Sequence, residues 1–437
     1  MHRRTALWVA IYVVVVAMPL LVVWWPPRPP GRGVVREFAV AIGFVGLSTM
    51  ALQFVLVGRL RRPVPPVASD TIWQFHRHMG LVALAFVLAH PLLLGAIDRE
   101  TWTYLDPTVD WMRATALWAA TISLCLVVGV SLWRERLGLS YEWWRISHGA
   151  LASLVVLIGL AHITQVGHYV RSIWHQGYFG LLVLGALGFL AYVRIGKPLL
   201  TRRVPYTIAG IREEPGDVWT LSLAPDGHDG LRFEAGQYGW ITLADSPFTL
   251  QQHPYSFSSS AERQDRVEFT IKALGDFSRS LGERDVGGRA FLEGPYGTFV
   301  FTSPASRGAV FIAGGIGITP FVSMLRTLAD RHDPRHVVLF YGNERVEDIV
   351  FRDELERLKT ALHLDVHHVL EKPPPDWDGM SGFITGEIIA RHLPEQGRAD
   401  FEYYICGPEP LIDAAEHALI SQGMPLDRLH SERFGIV

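Results

Sequence analysis

Six stretches in the first 200 residues contain no Asp, Glu, Lys or Arg: Thr5–Trp25, Phe38–Gly58, His78–Ile97, Ala114–Trp133, Ile146–Val170 and Ser172–Val193. Each is long enough to cross a hydrocarbon core, which takes about 20 apolar residues. Inside lipid a segment must satisfy its own backbone hydrogen bonds, so these stretches are read as helices. Arg3 and Arg4 precede the first one, as they would a signal peptide. It is nonetheless longer than an ordinary signal core and runs into WWPPRPPG without a small-residue cleavage site, so it is read as a retained helix. The expected transmembrane domain covers 1–200, with helices near 5–25, 38–58, 74–97, 114–133, 146–170 and 172–193.

Basic residues give the orientation. Arg3 and Arg4, then Arg59, Arg61 and Arg62, then Arg134, Arg136 and Arg145, then Arg194, Lys197, Arg202 and Arg203 all fall on one side of a six-span protein. The loop at 98–113 offsets Arg99 and Arg113 with Asp98, Glu100, Asp106 and Asp110. Only the short first loop, with Arg28, Arg32 and Arg36, runs against the pattern. Both termini are therefore expected in the cytoplasm, and the protein in the cell membrane.

Four histidines stand in the apolar half in two pairs of equal spacing. His76 and His90 are fourteen residues apart, as are His148 and His162. Fourteen residues make nearly four helical turns, so the members of a pair share a face and lie roughly 21 Å apart along the axis. Helices three and five run in the same direction, which matches His76 with His148 at one depth and His90 with His162 at the other. A lone histidine in such a helix is an ordinary packed polar group. Four at matched spacing are another matter, because an unpaired polar ring inside a membrane is costly. The arrangement suits two bis-histidine b-type haems. His78 is twelve residues from His90 and points elsewhere; His168 and His175 lie beyond the outer pair.

A net charge of −3 gives no reason to expect a nucleic-acid partner. Two cysteines, Cys125 and Cys406, are too few for a disulfide framework, a zinc site or an iron–sulfur cluster. Without a CxxCH motif, any haem is held non-covalently.

Beyond residue 200 the pattern changes to short alternating strands with glycine turns, such as DVWTLSLAP, GQYGWITL, RVEFTIKAL and GRAFLEGPYG. They predict an antiparallel β-barrel over 201–305. Within it HPYS (His253, Pro254, Tyr255, Ser256) is followed by KALGDFS, which runs from Lys272 through Gly275 to Ser278. From 306 to 437 strand, loop and helix alternate, predicting an α/β domain with a parallel sheet. GGIGITP supplies Gly314, Gly315, Gly317, Thr319 and Pro320 at the end of an apolar strand, where backbone amides approach a pyrophosphate. CGPEP supplies Cys406, Gly407 and Pro408 at the end of another. Arg345 just past a third strand is a candidate for a coenzyme 2′-phosphate, flanked by Glu344 and Glu347, which suit a 2′-hydroxyl. The balance leans to NADPH with NADH also accepted.

The strings QFHRHMGLVALAFVLAH and SHGALASLVVLIGLAH resemble the ferric reductase transmembrane domain shared by NADPH oxidases and ferric-chelate reductases. The soluble half resembles the ferredoxin–NADP reductase superfamily. That resemblance implies FAD in the barrel, with Tyr255 flanking the isoalloxazine, Ser256 near its reactive nitrogen, and Gly275 and Ser278 on the pyrophosphate. Where many soluble members carry Arg, this chain has His253, as membrane oxidases and reductases do. It also implies that Cys406 seats the nicotinamide and that Phe434 covers the flavin. The resulting expectation is a flavocytochrome b moving electrons from cytoplasmic NAD(P)H through FAD and two haems to an outer acceptor. That acceptor is a ferric or other metal chelate, or dioxygen reduced to superoxide. The superoxide-producing oxidases carry a further histidine where this chain has Leu94, which weakens the second choice. The alternative is an electron-transfer subunit serving a protein or quinone partner.

Overall fold

The computed structural model describes residues 2–27, 29–60, 69–303, 306–393 and 398–433, without the side chains of residues 2–4, 69 and 70. It divides into two units, Met1–Leu60 with Thr71–Lys197, and Pro198–Val437. The fold class is the expected one: six apolar helices, an antiparallel β-barrel and a parallel α/β sheet.

The helices are α1 His2–Trp24, α2 Val34–Leu56, α3 Ser69–Ile97, α4 Trp111–Trp133, α5 Tyr141–Val166 and α6 Ile173–Ala191. By length and composition all six suffice to cross a membrane. Several begin before their charge-free windows, because caps rather than charges set the start. Asp110, Ser140 and Ser172 each accept a hydrogen bond from a backbone N–H in the first turn. Arg113 and Arg145 thus fall inside helices. α5 ends at Gly167, whose φ of 60° is the left-handed conformation glycine tolerates. Phe44, Leu47, Val156, Phe179 and Val183 form a core shared by α2, α5 and α6. The loop after α3 holds a short 3-10 helix, Arg99–Leu105, that hydropathy gave no reason to expect. It turns Trp102 onto Gly95, where a Cβ would come within 2.3 Å of the indole.

In the second unit the barrel strands are β1 Tyr206–Glu214, β2 Val218–Pro225, β3 Tyr238–Leu243, β4 His253–Ser256, β5 Val267–Lys272 and β6 Arg289–Tyr296. Their order is β4-β3-β6-β1-β2-β5, and a bridge between Phe257 and Phe269 brings the two ends together. Leu221, Leu223, Ile241, Phe257, Phe269 and Ile271 fill the interior. Burying these side chains stabilises the barrel by about 1.5–3 kcal/mol each.

The parallel sheet contains β7 Gly308–Gly314, β8 His336–Asn343, β9 Leu364–Leu370, β10 Met380–Ser381, β11 Phe401–Gly407 and β12 Leu429–Arg433. Its order is β10-β9-β8-β7-β11-β12. The chain steps outward from β7 to β10, then returns to the opposite side of β7. Strand order therefore reverses between β7 and β11, where open α/β sheets leave a crevice at the carboxyl ends. Arg326, on the helix Thr319–Asp330, joins sheet and barrel. Its guanidinium donates to the Ser258 carbonyl at 2.7 Å, to Glu268 at 3.0 Å and to Glu354 at 2.6 and 2.8 Å.

Candidate functional site

Two histidine pairs meet across α3 and α5. The ring centres of His76 and His148 are 6.2 Å apart, and those of His90 and His162 are 6.5 Å apart. An imidazole nitrogen sits about 2 Å from a metal it ligates and roughly 1 Å from its own ring centre. Two imidazoles on one metal therefore place their centres roughly 6 Å apart. Among the described residues no three His, Cys, Asp or Glu side chains gather to hold a bare metal ion. Each pair supplies two ligands, the number an iron needs when a macrocycle provides the other four. Gly80, one turn beyond His76, has nothing among the described residues within 4 Å of its Cβ position, which leaves room for a flat group beside that histidine.

The rings are also oriented by hydrogen bonds. His90 Nδ1 lies 2.7 Å from the Ala39 carbonyl of α2. A carbonyl only accepts, so Nδ1 carries the proton and Nε2 keeps its lone pair for a metal. This approach depends on Gly43, whose Cβ would lie 2.7 Å from His90 Nδ1. His148 Nδ1 lies 3.0 Å from Ser131 Oγ. Beside the outer pair, the Tyr104 ring stands edge-on to His162 at 6.4 Å, and the Arg113 guanidinium lies 4.3 Å over Tyr104. Sequence reasoning missed Gly43, Tyr104, Arg113 and Ser131, because only helix packing brings them to the histidines.

In the barrel, β4 presents Pro254 between His253 and Tyr255. The His253 ring stacks on Phe277 at 3.9 Å, and Tyr255 lies nearly parallel to the same phenyl at 6.3 Å. Phe277 was overlooked in the sequence although it sits inside KALGDFS. Burial pushes the Tyr255 phenol up to about 12, so it stays neutral. The Ser256 hydroxyl is buried with no hydrogen-bond partner, as a group aimed at an absent ligand would be. Ser278 is used differently from the expectation of a free phosphate contact. Its Oγ accepts from the amides of Leu274 and Gly275 and donates to the Gly275 carbonyl, closing its own turn. Lys272 ends β5, exposed.

The crevice between β7 and β11 brings the glycine loop to the Cys-Gly-Pro turn. A Cβ on Gly317 would lie 2.3 Å from the Cys406 carbonyl oxygen, and one on Gly314 would lie 2.6 Å from Leu411 and 2.9 Å from Pro408. Two of the three glycines thus permit the turns to touch. Gly315, at φ +52° with open space before it, is the one facing outward. Gly407 lies against Gly314, and Thr319 and Pro320 begin the following helix, both buried. Cys406 is fully buried, and burial pushes its thiol up, so it stays neutral. Arg345 is exposed between Glu344 at 3.9 Å and Glu347 at 3.7 Å, and Glu344 also accepts from Lys372 at 2.6 Å. Phe434 lies outside the described residues.

Known families match all three parts. Residues 42–159 match the ferric reductase like transmembrane component, 204–300 an FAD-binding domain, and 311–417 an oxidoreductase NAD-binding domain. Together the three matches give the chain a ferric reductase/NADPH oxidase-like architecture. It is an NAD(P)H-dependent oxidoreductase. Among curated relatives, NADH-cytochrome b5 reductase 1 of Lodderomyces elongisporus is 33% identical over 48% of this chain and 72% of its own length. The propane 2-monooxygenase reductase component of Rhodococcus jostii is 31% identical over 50% of this chain and 60% of its own. A solved ferredoxin reductase in carbazole 1,9a-dioxygenase is 28% identical over 53% of this chain and 69% of that one, with a TM-score of 0.47.

Proposed function

We propose that this ferric reductase-like protein moves electrons from NAD(P)H on the cytoplasmic side to an acceptor on the far side of the cell membrane. The observation that carries this reading is the pair of histidine clamps, at 6.2 and 6.5 Å, on the same two membrane helices of a chain that also has a dinucleotide crevice. His76 with His148, and His90 with His162, would each hold one b-type haem. Tyr255, Ser256 and His253 would hold FAD in the barrel, and Gly315 with the Cys406–Pro408 turn would receive the nicotinamide coenzyme. When bound, the flavin supplies the exchange between hydride and single electrons, and the haems supply single-electron carriage.

The residues contribute orientation and shielding. Ser256 would offer a preplaced hydroxyl donor, and the neutral Tyr255 ring, nearly parallel to Phe277, would offer an apolar surface. Ser278 shapes the turn at Gly275 that would face the pyrophosphate. Among the described far-side arginines, Arg36 pairs with Asp98 at 2.8 Å, and Arg32 lies over the Tyr169 ring. The larger number of Lys and Arg residues in the other loops favours a cytoplasmic soluble half.

For the coenzyme, the two carboxylates around Arg345 oppose a 2′-phosphate and suit a ribose diol. This reverses the expected lean to NADPH: with Arg345 held between Glu344 and Glu347, NADH is the favoured donor and NADPH is also accepted. The b5 reductase relatives are named for NADH as well. At the far side, Arg113 beside His162 favours an anionic acceptor such as a ferric chelate over dioxygen. The test is purification with haem and flavin quantified, then NADH and NADPH oxidation against ferric citrate and oxygen. Two haems and one flavin per chain with ferric turnover support the reading; a haem-free folded protein would overturn it.

A further inference from the structure

We infer that Ser131 is the positioning residue for the inner haem, fixing the tautomer of His148 through a hydroxyl whose own proton is committed elsewhere. This rests on the proposed ligation of haem by His76 and His148. Ser131 Oγ has three neighbours. It lies 2.6 Å from the Val127 carbonyl one turn back on α4, 3.1 Å from Trp144 Nε1 on α5, and 3.0 Å from His148 Nδ1. A hydroxyl has one proton to give and two lone pairs to receive with. The Val127 carbonyl can only accept, so at 2.6 Å it takes the hydroxyl proton. The Trp144 indole N–H can only donate, so it fills one lone pair. The remaining lone pair faces His148 Nδ1, which must then carry the hydrogen. Nε2 is left as the single nitrogen of that ring able to bind a metal.

The arrangement is unequal within the pair. Among the described residues His76 Nδ1 is buried without a hydrogen-bond partner, so the proposed inner site has one ligand fixed by a hydrogen bond and one held by packing. An accepted Nδ1 proton makes the imidazole a stronger electron donor, which favours the ferric state and lowers the potential of the bound haem. Removing the acceptor raises that potential and loosens the ligand. Outer-shell partners of this kind typically change metal affinity by about 10- to 100-fold.

The test uses the full-length protein, comparing wild type with Ser131→Ala, Ser131→Cys and Ser131→Thr. Haem content and a redox titration are recorded for each. The inner haem is identified as the one missing from His76→Ala. Ser131→Ala and the nearly isosteric Ser131→Cys should retain the outer haem unchanged. Their inner haem should either titrate at a higher potential or bind about 10- to 100-fold more weakly. Ser131→Thr, which keeps the hydroxyl and the back-bond to Val127, should restore both properties. An inner haem of unchanged potential and content in Ala and Cys overturns the inference, as does a Thr variant as impaired as Ala. If wild type carries no haem, the ligand reading itself has failed; two haems in wild type with no response at Ser131 removes only this inference.

Discussion

His76, His90, His148 and His162 are set apart by facing one another in two pairs across α3 and α5. His90 donates to a backbone carbonyl that only a glycine at position 43 leaves open. Gly43→Ala should therefore displace the His90 ring and lower outer-haem content while sparing the inner one. Equal loss of both haems, or of neither, would count against the assignment. His162→Ala should remove mainly the outer haem and His148→Ala mainly the inner, read from low-temperature difference spectra. In the barrel, Ser256→Ala deletes a buried, unpartnered hydroxyl. One hydrogen bond at a reacting centre is worth about 1–3 kcal/mol, so flavin reduction should slow about 10- to 100-fold in stopped flow. An unchanged rate would place Ser256 away from the reacting atoms.

At the scale of elements, hydropathy located all six helices but not their ends. A charge interrupts an apolar window, whereas a helix starts where a side chain caps it. Asp110, Ser140 and Ser172 do so several residues before, or at, the windows. The glycine loop was legible as a nucleotide turn, but its glycines have divided duties that only the sheet order reveals. Gly317→Ala would drive a Cβ into the Cys406 carbonyl and should cost about 1–3 kcal/mol of stability through overpacking. The loop after β8 carries the coenzyme prediction. Wild type should oxidise NADH in preference to NADPH, and the double change Glu344→Gln with Glu347→Gln should move the preference toward NADPH by freeing Arg345. A wild type that prefers NADPH, and loses that preference in Arg345→Ala, would show the arginine already available to phosphate.

At the scale of the whole molecule, the paired histidines and the dinucleotide crevice lie in separate units, so the proposed electron entry and exit are divided between them. His76→Ala should still let NADH reduce flavin while failing to pass electrons outward; loss of flavin reduction in a folded variant would contradict that division. The second unit is held together through Arg326, which is mostly buried and bridges Glu268, Glu354 and the Ser258 carbonyl. Removing one partner of such a cluster strands the remaining charges, so Arg326→Ala should destabilise the unit by about 3–5 kcal/mol in thermal flavin release. Burial works to raise the Glu354 carboxyl, but Arg326 overrides it and holds it below the usual carboxylate range. A carboxyl held low in the folded state stabilises at pH above its unfolded pKa and loses that contribution as pH falls through the folded one. Flavin-release temperature should thus drop on acidification below the usual carboxylate range in wild type. That drop should be smaller in Arg326→Ala, and an identical acid profile would exclude the cluster as its source.

The sequence by itself determined what depends on local order: charge-free windows of bilayer length, a fourteen-residue histidine spacing that 3.6 residues per turn converts into shared faces, and glycine-rich strand ends. Those periodicities survive folding, so fold class and the pairing partners could be read without coordinates. Tertiary structure alone decided which groups stand behind the paired histidines and within the crevice. Ser131, Gly43, Tyr104 and Arg113 reach the histidines from other helices or from the loop after α3, at separations no periodicity encodes. Likewise, Ser278 was free to meet phosphate in the sequence, but in the fold its hydroxyl meets its own backbone first. A side chain's chemistry is written in its residue type; its partner is set by which elements pack beside it, and that is fixed only when the chain closes on itself.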